Sequence, residues 1–309
     1  MYQQLFDNHI NSAPVVDNDG KLMGIISQKS ALRASLYSPA IDENKKLMVA
    51  VALGVNGDVK SKAEKLLSFG VDLIVMDTAH GHQQKMVDAV KTVRSISQSI
   101  KIAAGNVVTV EGTNALIDAG ANIIKVGVGP GAMCITRMMT GVGRPQFSAV
   151  LECAKVARSR GASVWADGGI KYPRDVALAL AAGASSVMIG TWFSGTYESA
   201  GDVLRDDVGL YKENFGMASK RAVINRTHEE DPYERSLKEF FEEGISNSKL
   251  YIDEKTPGVE DIIDMITSGL RSSMSYAGAK NIDDFYEKAT IGVQSSAGYE
   301  EGKAVKTSW

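Results

Sequence analysis

The chain has 309 residues, of which 44% are hydrophobic and 23% charged, with a net charge of −3. That length can bury a large core in one big domain or two, and the balance of charge argues against nucleic acid or an anionic membrane as partner. No apolar run approaches the roughly 18 residues that span a bilayer, and the N-terminal MYQQLFDNHINSAP carries no leader-like apolar core. The two cysteines, Cys134 and Cys153, make no disulfide framework, so a reducing, cytoplasmic setting is expected.

In chain order, residues 1–46 contain a short β run (Ala13–Val16), a turn on Asn18-Asp19-Gly20, a second strand (Leu22–Ile26) and a helix opening near Ser27. From Leu47 onward, apolar strands alternate with amphipathic helices. The strands are expected at Met48–Leu53, Leu73–Met76, Lys101–Ala104, Ile123–Val126, Ser163–Ala166 and Ser186–Ile189. The helices between them are expected at Val59–Phe69, Gln83–Ile96, Val110–Ala119, Phe147–Arg160 and Pro173–Ala182. Gly70, Gly120 and Gly183 sit where helix C-caps should precede the next strand. Repeated β–α units imply a parallel sheet whose spacing suits a (β/α)8 barrel; periodicity alone leaves an open doubly wound sheet as the alternative.

Unusual residues collect where the strands end. Asp77-Thr-Ala-His80-Gly-His82, Gly105-Asn106, Asp167-Gly168-Gly169 and Gly190-Thr191 each follow a strand, as does the run VGVGPGAMCITRMMTGVGRPQ from Val126 to Gln146. The carboxyl ends of strands are where a parallel barrel carries its function. Gly127, Gly129 and Gly131 strip side chains from a turn that can enter the left-handed region, and Cys134 closes it. A thiol titrates near about 8.5, so a cysteine presented this way is a candidate nucleophile if its surroundings stabilise the thiolate. Gly168, Gly169, Gly190 and Thr191 offer backbone amides to an anion such as phosphate. Bland readings stand beside these: Asp167 as a helix N-cap, Glu243 as a solvated surface charge, and Cys153 as a small buried hydrophobe. His80 and His82 lie too close together, without further ligands, to suggest a metal site; His9 and His228 have no chemical company.

The Val126–Gln146 run resembles the catalytic-cysteine loop of the IMP dehydrogenase/GMP reductase family, and the family's other signatures follow in order. The first 46 residues resemble the C-terminal part of a cystathionine-β-synthase (CBS) module, which family members carry inserted early in the barrel. The resemblance therefore implies that 47–309 is the catalytic barrel, a TIM (β/α)8-type fold lacking its first two β–α units, with a flap at about 204–256. It implies that Cys134 adds to C2 of a purine nucleotide to form a thioimidate, that Thr136 contacts the group leaving or entering C2, and that Glu243 pairs with that threonine. Asp167 would hold the ribose hydroxyls of a purine nucleoside monophosphate, with Gly168, Gly169, Gly190 and Thr191 at its phosphate. Met217 and Ser219 also match substrate-side positions. Asp77, Asn106, Gly127 and Gly129 match the cofactor side, with Asp77 on the nicotinamide ribose. The carbonyls of Gly129, Gly131 and Cys134 match a site for a monovalent cation, usually K+. The full-length form would be a homotetramer.

Within the family, residues 204–256 hold no Arg-Tyr dipeptide, the pair with which IMP dehydrogenases activate water, and Thr140 is the GMP reductase choice. Both point to the CBS-bearing bacterial GMP reductase branch and to NADPH-dependent reductive deamination of GMP, with NADH not distinguished. The rival within the family is NAD-dependent oxidation of IMP to XMP; the rival outside enzymes is an inactive purine-nucleotide-binding fragment. Asn214-Phe-Gly-Met-Ala218-Ser departs from the usual Tyr-Arg-Gly-Met-Gly-Ser, so contacts from Asn214 and Ala218 do not carry over.

Overall fold

The computed structural model describes residues 1–227, 231–240 and 242–303, so His228 and residues 229, 230, 241 and 304–309 lie outside the described residues. Two compact units are present, Met1–Val49 and Ala50–Trp309.

The first unit is small. Helix α1 (Tyr2–Asp7) precedes an antiparallel hairpin of β1 (Ser12–Val16) and β2 (Leu22–Ser27). Asp17 closes the turn by accepting backbone N–H groups from Asp19 and Lys21. Ser27 caps α2 (Gln28–Leu36) by accepting the Ser30 N–H, as its position before an amphipathic run predicts.

The second unit is built on β3 (Ala50–Leu53), β4 (Leu73–Asp77), β5 (Lys101–Val107), β6 (Ile123–Val126), β7 (Ser163–Asp167) and β8 (Ser186–Met188). All five neighbouring pairs are parallel and the strand order is sequential, β3 to β8. A doubly wound sheet reverses direction part-way; this one does not, which makes it an arc of a barrel. The intervening helices α3 (Val59–Ser68), α4 (Gln84–Ile96), α5 (Val110–Ala119), α7 (Gln146–Ser159) and α8 (Pro173–Ala181) pack each on the next. The short α6 (Thr136–Thr140) lies between β6 and α7. These boundaries fall within two residues of those read from the periodicity, except that β5 runs three residues further, through Gly105-Asn106 to Val107. Gly120 ends α5 in the left-handed conformation, and Gly70 and Gly183 adopt positive φ one residue beyond their C-caps.

Ile74, Ile102, Ile124 and Val164, one from each central strand, are fully buried among the helices. Burial of each such side chain is worth about 1.5–3 kcal/mol. After β8 come α9 (Thr191–Ser194) and a separate antiparallel sheet of β9 (Leu204–Arg205), β10 (Leu210–Asn214) and β11 (Ser248–Tyr251). Helices α10 (Lys220–Arg226) and α11 (Pro232–Glu239) lie between β10 and β11. A second core forms where α8 meets α12 (Val259–Ala277) and α13 (Ile282–Lys288), through Val176, Leu180, Ile262, Ile266 and Phe285. The last element is α14 (Ser296–Glu301).

Candidate active site

The cysteine loop leaves β6 through Gly127, whose φ of 150° and N–H bond to the Val107 carbonyl (3.1 Å) turn the chain sharply. A Cβ there would run into the Asp167 carbonyl oxygen, so only glycine lets β6 and β7 end this close together. Gly129 is left-handed as well (φ 79°) and lies under the Arg137 side chain, which donates from Nε to the Val128 carbonyl at 3.0 Å and from Nη2 to the Arg144 carbonyl. Gly131 does not use that freedom, its φ not being positive. Its carbonyl instead accepts the Cys134 N–H at 3.2 Å, closing the turn that presents the thiol.

Cys134, half-buried, donates from Sγ to Thr136 Oγ1 at 3.1 Å, and Thr136 Oγ1 donates to Glu243 Oε2 at 2.8 Å. The threonine is only 8% exposed. A thiol, a hydroxyl and a carboxylate thus form one hydrogen-bonded row, in which Thr136 and Glu243 meet across 107 residues of sequence. Backbone holds the row in place. Ile135 N–H donates to the Glu243 carbonyl (3.0 Å), Ile245 N–H to Met133 (2.9 Å), Glu243 N–H to Ala218 (3.0 Å) and Gly216 N–H to Ile245 (2.8 Å). The segment at 216–219 is therefore the third layer of the same knot. In it Ser219 is buried and spends its hydroxyl capping α10, accepting Ala222 N–H at 3.2 Å, whereas Met217 is 74% exposed. The solvated alternative for Glu243 does not fit this half-buried, hydrogen-bonded position.

A second group lies at the ends of β4 to β7. Lys125, in β6 and 2% exposed, places Nζ 2.9 Å from Asp77 Oδ1 and 3.0 Å from Asp167 Oδ2. Asn106 Nδ2 donates to the same Asp167 oxygen at 3.0 Å and to the Gly127 carbonyl at 2.6 Å. Burial works against the charged form of Lys125, but the two carboxylates outweigh it and its pKa stands above the ordinary lysine value. Sequence reading missed this residue, taking Ile123–Val126 as an apolar strand; a lysine inside IIKV was the available signal, since buried lysines are rare unless paired. Asp167 does not cap α8, whose first turn is closed by Asp175 accepting the Tyr172 N–H at 2.9 Å. That removes the capping alternative.

Gly168 and Gly169, both left-handed (φ 85° and 80°), follow Asp167, and Gly168 packs against Pro130 of the cysteine loop. Gly190 and Thr191 begin α9 after the adjacent strand β8. Gly168 donates its N–H to the Met188 carbonyl at 3.3 Å, which brings the two glycine turns onto one rim. His80 Nδ1 accepts the His82 N–H at 3.3 Å, a local turn contact. Cys153 is fully buried on α7, where burial pushes its thiol pKa up.

A sequence model of the IMP dehydrogenase / GMP reductase domain matches residues 25–305. The chain belongs to this family. A CBS domain match covers residues 3–37. The chain is 57% identical over 301 residues to a GMP reductase of Mycobacterium tuberculosis (strain ATCC 25618 / H37Rv), covering 97% of this chain and 63% of that protein. It is 39% identical over 293 residues to an inosine-5'-monophosphate dehydrogenase of Aquifex aeolicus, covering 94% of this chain and 59% of that one. Among solved structures, a GMP reductase C318A variant from Trypanosoma brucei in complex with guanosine 5'-monophosphate superposes with a TM-score of 0.78 at 33% identity, covering 99% of this chain and 62% of that chain. The chain thus spans about three-fifths of the length of the relatives it matches. No described helix is long and apolar enough to cross a membrane.

Proposed function

We infer that the protein catalyses the NADPH-dependent reductive deamination of GMP to IMP and ammonia, a reaction of purine salvage. The observation that carries this reading is the Cys134–Thr136–Glu243 row, which joins a nucleophile to a proton relay. Cys134 Sγ adds to C2 of the guanine, its proton passing through Thr136 to Glu243. The tetrahedral adduct expels the 2-amino group, which leaves as ammonia after taking a proton from the same relay. What remains is a thioimidate between Sγ and C2. A reduced nicotinamide held beside Asp77 would supply hydride to C2; as the C–S bond breaks, its electron pair returns to Cys134 Sγ. Overall, GMP, NADPH and two protons give IMP, NADP+ and ammonium.

Asp167, with Lys125 and Asn106 on one oxygen, is the acceptor for the nucleotide's ribose hydroxyls, and the glycine turns at 168–169 and 190–191 receive the phosphate. Met217 and Ser219 are assigned to the substrate side, the exposed Met217 as a group free to close on the nucleotide and Ser219 through the cap that fixes its segment. Asp77, half exposed and oriented by Lys125, faces the nicotinamide ribose, with Asn106, Gly127 and Gly129 on the same side; the buried Asn106 Oδ1, which has no protein partner among the described residues, fits a site completed by a bound group. A monovalent cation such as K+ would sit on the carbonyls of Gly129, Gly131 and Cys134; Gly131 spends one lone pair on Cys134 and keeps a second. Absence of the Arg-Tyr water-activating pair favours ammonia over water as the group exchanged at C2.

The test follows reduced-cofactor absorbance and released ammonia together, with GMP and NADPH in one set and IMP and NAD in the other. NADPH consumption matched by ammonia supports the proposal. Cofactor reduction with IMP would replace it with the dehydrogenase reaction, and nucleotide binding without either turnover would make the chain a binder. Running the first set with NADH, and with K+ replaced by Na+, tests the cofactor and cation assignments. Light scattering tests assembly as a homotetramer.

A further inference from the structure

Asp77 and Asp167 terminate strands β4 and β7, three places apart in the sheet, yet one ammonium group holds both. Lys125 reaches Asp77 from β6 by passing over β5. It does so at Gly105, where a side chain would collide with the Lys125 backbone and Cβ. Among the described residues its ion-pair partners are these two carboxylates, and it is almost completely shielded from water. Asn106 adds a fixed donor on the Asp167 side only. Asp167 is therefore tethered by two groups and Asp77 by one.

We propose that Lys125 is a positioning residue that couples the nucleotide and cofactor subsites, by sharing one positive charge between the carboxylate that meets the nucleotide ribose and the carboxylate that meets the cofactor ribose. The inference rests on the ribose roles assigned above to Asp167 and Asp77. Because the ammonium is buried, water screens it little, and among the described residues its charge is divided between two carboxylates. A change at one carboxylate redistributes it onto the other. Losing Asp77 leaves Lys125 facing Asp167 alone; the ion pair tightens, and Asp167 accepts hydrogen bonds from a ribose less well. Substitution on the cofactor side is thereby felt by the nucleotide with no cofactor present.

The experiment measures binding of GMP and of 2′-deoxy-GMP, without cofactor, to the wild-type chain and to Asp77→Asn. Asp77 is half exposed on the rim, so this variant keeps the core intact. The wild type is expected to prefer GMP. Asp77→Asn is expected to weaken GMP by about fivefold or more, the lower end of coupling between linked sites, and to narrow its preference over 2′-deoxy-GMP. GMP affinity equal to wild type in Asp77→Asn would overturn the coupling and leave the ribose assignment standing. A wild type indifferent to the 2′-hydroxyl would overturn the Asp167 assignment, and the coupling with it. As a second variant, Lys125→Met keeps the length of the stem, and its folding is followed by circular dichroism. Because neither carboxylate is then held by an ammonium group and their charges are left uncompensated, it should weaken GMP and NADP+ each measured alone, with Lys125→Arg recovering part of both; loss of only one of the two would also overturn the proposal.

Discussion

Replacing Glu243 with Gln changes one contact and leaves its surroundings in place. Among the described residues the side chain meets the site through the 2.8 Å bond from Thr136, whereas the segment is held by backbone bonds from Glu243 N–H to Ala218 and from Ile135 N–H to the Glu243 carbonyl. Gln keeps size and shape but cannot take the proton. A hydrogen bond to a charged group contributes about 1.5–3 kcal/mol, which alone corresponds to roughly 10- to 150-fold in rate. Removing a positioned acid–base group costs about 10²- to 10⁴-fold. Together these place Glu243→Gln at about 10²- to 10³-fold lower turnover, with GMP affinity within about threefold of wild type, since the carboxylate is assigned no contact with the nucleotide. The assay pairs steady-state ammonia release with GMP titration, and intact-mass measurement should find less thioimidate on Cys134 at early times. Unchanged turnover would refute the relay. A proportional loss of affinity and turnover would refute it too, because it would mean that Glu243 acts by shaping the pocket.

Further outcomes follow from the same geometry. Cys134→Ala should abolish turnover and leave GMP binding within a few-fold; residual turnover near wild type would remove Cys134 as nucleophile. In the native protein, iodoacetamide should label Cys134 and spare Cys153, which is fully buried and whose thiol pKa is pushed up; peptide mapping with GMP present should reveal protection of Cys134. Gly127→Ala should destabilise the fold by about 1–3 kcal/mol and weaken GMP binding, since the added Cβ meets the Asp167 carbonyl; a denaturation midpoint equal to wild type would contradict that contact. The pKa of Lys125 is raised on folding, so the stability it adds is fully present below its unfolded value of about 10.4 and is lost only as pH climbs through the higher folded value. Denaturant titrations of wild type and Lys125→Met should therefore differ by a constant amount from pH 7 to 9, and a difference that shrinks over that range would refute the ion-pair assignment.

Much of this protein was legible before any coordinates. Strand and helix limits followed from apolar periodicity and from glycines placed after helices, because both signals are local: a strand needs only its own alternation or apolar run, and a C-cap only a residue tolerant of positive φ. Cys134 stood out for the same reason, its glycine neighbours marking a loop of bare backbone. Glu243 was placed beside Thr136 only through resemblance, since nothing within an acidic surface-like run signals a partner 107 residues away. Which of the loop glycines use the left-handed region was not legible, because glycine permits such a turn without requiring one: Gly127 and Gly129 adopt positive φ and Gly131 does not. For Lys125 the only local signal was a lysine inside an apolar strand, which marks a paired charge but not its partners. Its partners come from strands that precede and follow it in the chain, and only the sequential parallel order, with Gly105 leaving a passage over β5, brings Asp77 and Asp167 to one ammonium group. Local sequence determined the elements and marked Cys134 as the candidate nucleophile; the stacking of strands side by side decided which charges meet, because ion pairs depend on distance in space and not along the chain.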